Sequence, residues 1–208
     1  FGFETLGICD NQELYDKYAP MMQKYNPKWG MGDIIIKDRT GEGVINDEDR
    51  TVIGNSIPRF TFGLNLGFEY KGFDFSCFFQ GVGKADGYVT MEAIQPMGIN
   101  GARKEHYKES FNPQDPKPGA YFPRILSSDY NYAYMSHWVQ DASYIRLKNL
   151  QIGYSFKIKG LNQLRVYASG ENLFTATKYR TWDPETPVGA RGFYPNVAVY
   201  SMGVNLNF

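Results

Sequence analysis

Residues 59–70 read RFTFGLNLGFEY, and the strict alternation in this stretch constrains the fold more than any other feature of the chain. Phe60, Phe62, Leu64, Leu66, Phe68 and Tyr70 fall on one face of an extended strand, and Thr61, Gly63, Asn65, Gly67 and Glu69 fall on the other. Successive strand side chains point to opposite sides, whereas a helix would scatter both sets around its circumference. The length matches the roughly 9–11 residues that a tilted strand needs to cross hydrocarbon. Lys71-Gly72 then leaves room only for a very short turn. The next strand, Phe73 to Gly81, sets Phe73, Phe75, Cys77 and Phe79 against Asp74, Ser76 and Gln80, with Phe78 joining the polar side. The two strands are expected to form an antiparallel hairpin.

A second hairpin is expected further on. Tyr144 to Phe156 is one arm, and its second half alternates Leu150, Ile152, Tyr154 and Phe156 against Gln151, Gly153 and Ser155. In its first half Arg146 and Lys148 are in phase with the apolar set. Either they sit above an apolar layer or a β-bulge switches the faces between the two halves. Lys157 to Gln163 is the turn, and Leu164 to about Phe174 is the return arm. The last strand, Val197 to Phe208, places Ala198, Tyr200, Met202, Val204, Leu206 and Phe208 on one face and Ser201, Gly203, Asn205 and Asn207 on the other. The opening Gly2 to Ile8 also reads as a strand, for a count of about six. No initiator Met or leader precedes it, so residue 1 is expected to be internal to a longer chain.

Between the hairpins lie polar stretches at about 9–58, 82–142 and 176–195, which hold most of the 11 prolines. A short helix is expected in the first, from about Asn11 to Tyr18, with Asp10 as its N-cap. Loops of this length are unusual in compact soluble domains. Very short turns alternating with long loops are the pattern of outer-membrane barrels, whose short turns face the periplasm. With Lys71-Gly72 on the periplasmic side, strand counting brings Phe208 to the periplasmic rim.

Composition agrees with an all-β chain: aromatic residues make up 16%, and there are 22 glycines for turns. Net charge is zero, which removes the basic footprint that nucleic-acid binding needs. Mean hydropathy is −0.45, and no apolar run is long enough for a membrane-spanning helix. The two cysteines, Cys9 in a loop and Cys77 within a strand, make no disulfide framework. The fold class expected is an antiparallel transmembrane β-barrel with long extracellular loops. Six strands fall short of the eight in the smallest bacterial barrels, so the chain is expected to be part of a larger one. An apolar strand that stops on an aromatic residue resembles the signal read by the barrel-assembly machinery, carried here by Tyr200, Met202, Val204, Leu206 and Phe208. A soluble protein seldom leaves such an edge unprotected.

Specific strings add a family. GDIIIKDRTGEGVINDEDRTVIGNSIPRFTFGLNLGFEYKGFDFSCFFQG (Gly32 to Gly81), SYIRLKNLQIGYSF (Ser143 to Phe156), LRVYASGENLFTATKY (Leu164 to Tyr179), WDPE (Trp182 to Glu185) and the terminal Tyr200 to Phe208 resemble, in order, segments of the SusC/RagA family of TonB-linked outer-membrane transporters of Bacteroidetes. That resemblance implies a C-terminal portion, 1–208, of a large and probably 22-stranded barrel, its plug domain lying outside this chain. It further implies a SusD-like surface lipoprotein as partner, energy from the TonB complex through the missing N-terminal parts, oligosaccharide or peptide cargo, and outer-membrane lipid around the wall. No cofactor is required.

Asp38 to Asp49, DRTGEGVINDED, fits the spacing of a calcium loop of EF-hand type. Asp38, Thr40, Glu42, the Val44 carbonyl, Asn46 and Asp49 take ligand positions one, three, five, seven, nine and twelve, with Gly43 at six and Ile45 as the apolar residue after seven. Thr40, Glu42 and Asp49 each depart from the usual residue, and the flanking helices are missing. The loop is either a structural Ca²⁺ site or a polar, glycine-containing turn. Trp29, Tyr121, Tyr130, Tyr132, Tyr134, Trp138 and Trp182 either stack on sugars, pack the loops or mark the membrane interface. His106 and His137 have no Ser, Cys or carboxylate at telling spacing, and the chain is not expected to be an enzyme. Two other functions fit the strand pattern: a secreted all-β carbohydrate-binding module with a structural calcium loop, and a passive porin.

Overall fold

The computed structural model describes residues 1–89, 91–96, 101–116, 118–125, 130–160, 162–180, 182–186 and 194–207. In chain order the elements are β1 (Gly2–Phe3), β2 (Thr5–Ile8), α1 (Gln12–Tyr25), β3 (Ile34–Ile36), β4 (Arg50–Thr51), β5 (Phe60–Tyr70), β6 (Phe73–Gly83), β7 (Asp86–Tyr88), α2 (Met91–Ile94), α3 (Lys104–Glu109), β8 (Val139–Asp141), β9 (Tyr144–Phe156), β10 (Gln163–Thr177) and β11 (Val199–Asn207), with three short 3₁₀ turns. They divide into two compact units. A loop unit comprises Phe1–Asn55 and Tyr88–Gln140; a sheet unit comprises Ser56–Gly87 and Asp141–Phe208.

The sheet unit is a five-stranded antiparallel sheet in the order β11-β10-β9-β6-β5. Lys71 and Gly72 both have positive φ, 48° and 86°. That is the backbone of the two-residue turn whose twist matches the strands it joins. The register aligns the apolar sets: Leu64 faces Phe79, Leu66 faces Cys77 and Phe68 faces Phe75. It then carries the same face across Cys77–Leu150, Phe75–Ile152, Tyr154–Val166 and Val166–Val204. Large side chains of one strand lie over glycines of the next. The Phe62 ring covers Gly81 and the Tyr167 ring covers Gly203, where an added Cβ would sit 2.0 and 2.4 Å away. Phe78, the aromatic residue on the polar side, packs against Gly63 in the same way. Such cross-strand pairs pin the register.

A β-bulge switches the faces in β9. Asn149 stands opposite Phe78 and Leu147 opposite Phe79, leaving Lys148 as the extra residue. Ile145 and Leu147 therefore join the apolar face, and Arg146 the polar one. β10 has its own irregularity at the same level, between Glu171 and Phe174, with Asn172 at φ 50°.

The stretches expected as open loops have a core of their own. Trp29, Trp138, Met22, Ile34, Ile35, Ile36, Met135 and His106 are buried. β2 pairs with β3 and β1 with β4, so Gly2 to Ile8 belongs to this unit, and the long sheet has five strands where six were expected. The partner that captures β2 is the fully buried run Ile34–Ile36. Helix α1 also differs from expectation: Asn11 is its N-cap, accepting from the Leu14 N–H at 2.9 Å, and it continues past Pro20 to Tyr25. Burial of Ala19 and Met22 on one stripe sustains it through a residue that by itself would stop a helix.

Asp33 holds this unit together. Its buried carboxylate accepts from Arg124 Nε and Nη2 at 2.7 and 2.6 Å, from Asn131 Nδ2 at 2.9 Å and from the Gly30 N–H at 2.8 Å. The Trp29 indole donates to the Ile34 carbonyl and the Trp138 indole to that of Asn131, at 3.0 and 2.7 Å. Trp29, Tyr132 and Trp138 thus pack the unit; Tyr121 and Tyr130 are half-buried and Tyr134 is exposed. His106 Nδ1 accepts from the Arg103 N–H, His106 Nε2 donates to the Ala93 carbonyl, and His137 Nε2 donates to that of Tyr121. Burial lowers the pKa of both histidines. Both cysteines are free and buried; burial, with Asp10 and Asp33 nearby, pushes the Cys9 thiol up to about 11.

Candidate functional site

The two faces of the long sheet are chemically distinct. One carries the apolar side chains traced above. The other carries Thr61, Asn65, Glu69 and Asn205 together with ion pairs. Near the Lys71-Gly72 turn, Arg165 of β10 reaches over Gly153 of β9 to Asp74 of β6, with Nε donating at 2.9 Å. A Cβ on Gly153 would stand 2.4 Å from the Asp74 carboxylate. Glycine at this position is what lets the pair form across an intervening strand.

At the opposite end of the same face lies a larger network. Arg146 is only 3% exposed and lies between two carboxylates. Its Nη2 donates to both Asp183 oxygens at 2.9 and 2.8 Å, its Nε to Thr175 at 2.7 Å, and its Nη1 lies 2.9 Å from Glu185 Oε2. Lys148 Nζ donates to the same Glu185 oxygen at 2.9 Å, and so does Asn196 Nδ2 at 2.6 Å. Two cations and two anions neutralise one another, so the segment carrying Trp182 to Glu185 is anchored to the bulged part of β9. A pocket of about 360 Å³ opens beside this network, walled by Gln80 and Val82 of β6, Tyr144 and Lys148 of β9, Tyr179 and Glu185. Arg146 and Lys148 stood out in the sequence as charges in phase with an apolar set. Their partners 37 residues further on carried no comparable signal, nor did the pocket.

The Asp38 loop closes on itself. Asp38 accepts from the Gly41 and Gly43 N–H groups at 2.6 and 2.7 Å and from the Thr40 hydroxyl at 3.2 Å. Asp49, fully buried, accepts from the N–H groups of Arg39, Thr40 and Asn46 and from the Thr40 hydroxyl. The Gly43 hydrogen bond leads the causes that lower the Asp38 pKa; for Asp49, burial pushes upward and the hydrogen bonds outweigh it. Glu42 and the Val44 side chain are exposed, Ile45 is buried, and Asn46 caps the 3₁₀ turn Asp47–Asp49. Among the described residues no group of three or more His, Cys, Asp or Glu side chains is arranged to hold a metal.

Tyr200, Met202, Val204 and Leu206 lie on β11 and are exposed on its apolar face. Phe208, the end of the expected assembly signal, lies outside the described residues.

No family model matches the chain. Over its full length it is 32% identical to TonB-dependent receptor P3 of Formosa agariphila, covering 22% of that protein. Over 95% of its length it is 33% identical to TonB-dependent receptor P39 of the same organism, covering 21%. It is 27% identical over its full length to the TonB-dependent receptor SusC of Bacteroides thetaiotaomicron, covering 20%. The chain thus spans about a fifth of the curated relatives it matches. Among solved structures, the RagAB peptide transporter aligns with all of this chain and 22% of its own at a TM-score of 0.73 and 20% identity. The RagAB peptide importer in its open-open state aligns over the same shares at 0.71. The long antiparallel sheet is therefore part of a larger antiparallel β-barrel.

Proposed function

We propose, from the chain's place in the SusC/RagA family of TonB-dependent receptors, that it builds part of the wall and outer loops of an active importer in the outer membrane. One observation carries this reading: the long sheet exposes a continuous apolar face and sets its charges on the other. In a lipid bilayer the first face meets hydrocarbon and the second lines the lumen. A secreted sandwich would cover the apolar face with a second sheet, whereas Phe60, Leu64, Phe68, Val204 and Leu206 are all exposed.

The cargo is an oligosaccharide or a peptide, the partner a SusD-like surface lipoprotein, and the energy comes through TonB by way of segments beyond this chain. SusC and the RagAB peptide importer support this as similar proteins. Membrane fractionation of the source cells, with peptide mapping of the full-length protein, tests it. Recovery in the outer membrane together with a lipoprotein is the expected result; recovery as a free secreted protein would overturn the reading.

A smaller proposal concerns the Asp38 loop. Asp38, Glu42 and Asn46 keep acceptor capacity toward solvent and take Ca²⁺ there, while Asp49 serves the backbone from inside. The loop's hydrogen bonds close it without help, so the ion adds rigidity to a turn already formed. Terbium luminescence of the full-length receptor, competed by calcium and lost in Asp38→Ala, is the expected result. Luminescence unchanged in that variant would remove the site.

A further inference from the structure

The margin of the long sheet at the Lys71-Gly72 turn carries a charge arrangement that transport does not use. Residues 70–73 and 154–164 make up two neighbouring turns and the strand ends that enter them. They hold three lysines, Lys71, Lys157 and Lys159, and no acidic residue. All three are exposed, and none makes an ion pair among the described residues. The flanking carboxylates, Glu69 and Asp74, stand opposite each other on the polar face, and Asp74 is taken by Arg165. At the other margin base and acid mix: Lys84 ends β6 and Asp86 follows it.

The two turns touch. The Ser155 N–H donates to the Gly72 carbonyl at 2.7 Å. Lys71 and Lys157 therefore leave the sheet within one or two strand spacings of each other, roughly 5–10 Å. Flexible lysine stems can bring both ammonium groups to one phosphate. The apolar face beneath them ends in aromatic rows. Tyr70, Phe73, Tyr154, Val166 and Val204 form one row across all five strands, and Phe156, Leu164 and Leu206 the next. Tyr154 and Phe156 meet edge-on at 4.7 Å between centroids, and Lys71 Nζ lies 5.2 Å from the centre of the Tyr70 ring. Exposed aromatic rings settle at the level of lipid headgroups. That depth puts the lysines among the phosphates, with their stems along the apolar surface.

The occupant must match both features. An acidic protein or a free phosphate would meet the lysines and leave the aromatic rows uncovered. A zwitterionic lipid would cover the rows but bring its own ammonium to the lysines. We infer that this margin binds an anionic phospholipid, its phosphate held by Lys71, Lys157 and Lys159 and its acyl chains lying along the exposed apolar face. The inference rests on the reading of the sheet as a membrane wall and adds a lipid preference at one margin.

The test uses the full-length receptor in phosphatidylcholine liposomes, with spin-labelled phosphatidylglycerol and spin-labelled phosphatidylcholine compared by electron paramagnetic resonance. One ammonium near an anionic surface is worth a factor of about five in association. Labelled phosphatidylglycerol is therefore expected to associate about fivefold or more over phosphatidylcholine. The preference should vanish in Lys71→Gln/Lys157→Gln/Lys159→Gln and persist in Arg59→Gln/Lys84→Gln, at the other margin. If the triple variant does not insert, Lys157→Gln/Lys159→Gln decides, with a fall of about fivefold expected. Equal association of the two lipids, a preference untouched by the lysine substitutions, or one lost in Arg59→Gln/Lys84→Gln instead would each overturn the inference. A receptor that inserts and shows no preference leaves the wall reading standing; one that fails to insert at all would overturn both.

Discussion

Trp29 and Trp138 are 2% and 0% exposed in the loop unit, whereas Phe60, Phe62 and Phe68 are 57%, 47% and 55% exposed in the sheet unit. The same class of side chain is withdrawn from the surroundings in one region and presented to them in the other. The polar groups move the opposite way: Asp33 is the buried centre of the loop unit, while Thr61, Asn65 and Glu69 line an open face of the sheet. Each region is ordered for its own solvent. In water, burial of apolar area drives folding and a buried charge must be fully paired. In lipid, backbone pairing is compulsory and an apolar exterior costs nothing.

The contrast can be broken most severely at Asp33. Asp33→Ala leaves Arg124 and Asn131 facing an empty place and is expected to cost about 3–5 kcal/mol. Limited proteolysis should then cut within residues 1–55 and 88–140 while the long strands stay protected. Equal digestion of both regions would show that the two units do not fold separately. Next in size is Leu64→Arg, expected to cost about 2–4 kcal/mol if that face lies near the bilayer midplane. Its neighbour Asn65→Arg should stay within about 0.5 kcal/mol on the other face. Unfolding of the two variants in liposomes compares them directly, and equal costs would erase the distinction between faces. Gly153→Ala pushes a methyl group into the Asp74–Arg165 pair and should cost about 1–3 kcal/mol by overpacking, read in the same assay.

The smallest effect is one of pH and belongs to the loop unit. Burial lowers the pKa of His106 and His137 below that of the unfolded chain. Between the two pKa values the unfolded state binds more protons, so the stability these groups permit is complete above about 6.5 and declines as the pH falls below it. Thermal melts of the loop unit should therefore shift downward from pH 7 to pH 5, and less so in a His106→Gln/His137→Gln variant. A pH-independent melt would mean that neither ring is held neutral by its surroundings.

The sheet was far more legible than the loop unit, for a physical reason. Alternation in β5 and β11 is enforced residue by residue, so Phe60 to Tyr70 announces both its conformation and its faces. Even the irregular β9 was readable as a choice between a shifted layer and a bulge, and the bulge is what formed. Gly2 to Ile8 shows the limit: a short extended pattern states that a strand exists and not which strand it joins. The 9–58 and 82–142 stretches were read as loops because their average polarity conceals Ile34–Ile36, Trp29 and Trp138, residues too scattered to show a period. The Arg146 network was half legible. The cations were conspicuous by phase, but Asp183 and Glu185 sit in an irregular segment, where no periodicity marks a partner.

The bulge at Lys148 can be regarded as a frame shift written into protein. β9 consists of two alternating messages in opposite phase, and the extra residue is the single insertion that lets both be read on one sheet. Deleting Lys148 alone would restore uninterrupted alternation from Ile145 to Phe156 and keep every remaining side chain on its present face. Deleting Gln151 would throw the segment on one side of it out of phase. The strand can therefore lose its most conspicuous charge and remain in frame. Lys148 thus occupies the one position the alternation does not need, and its ammonium is spent instead on Glu185 of the segment that follows β10.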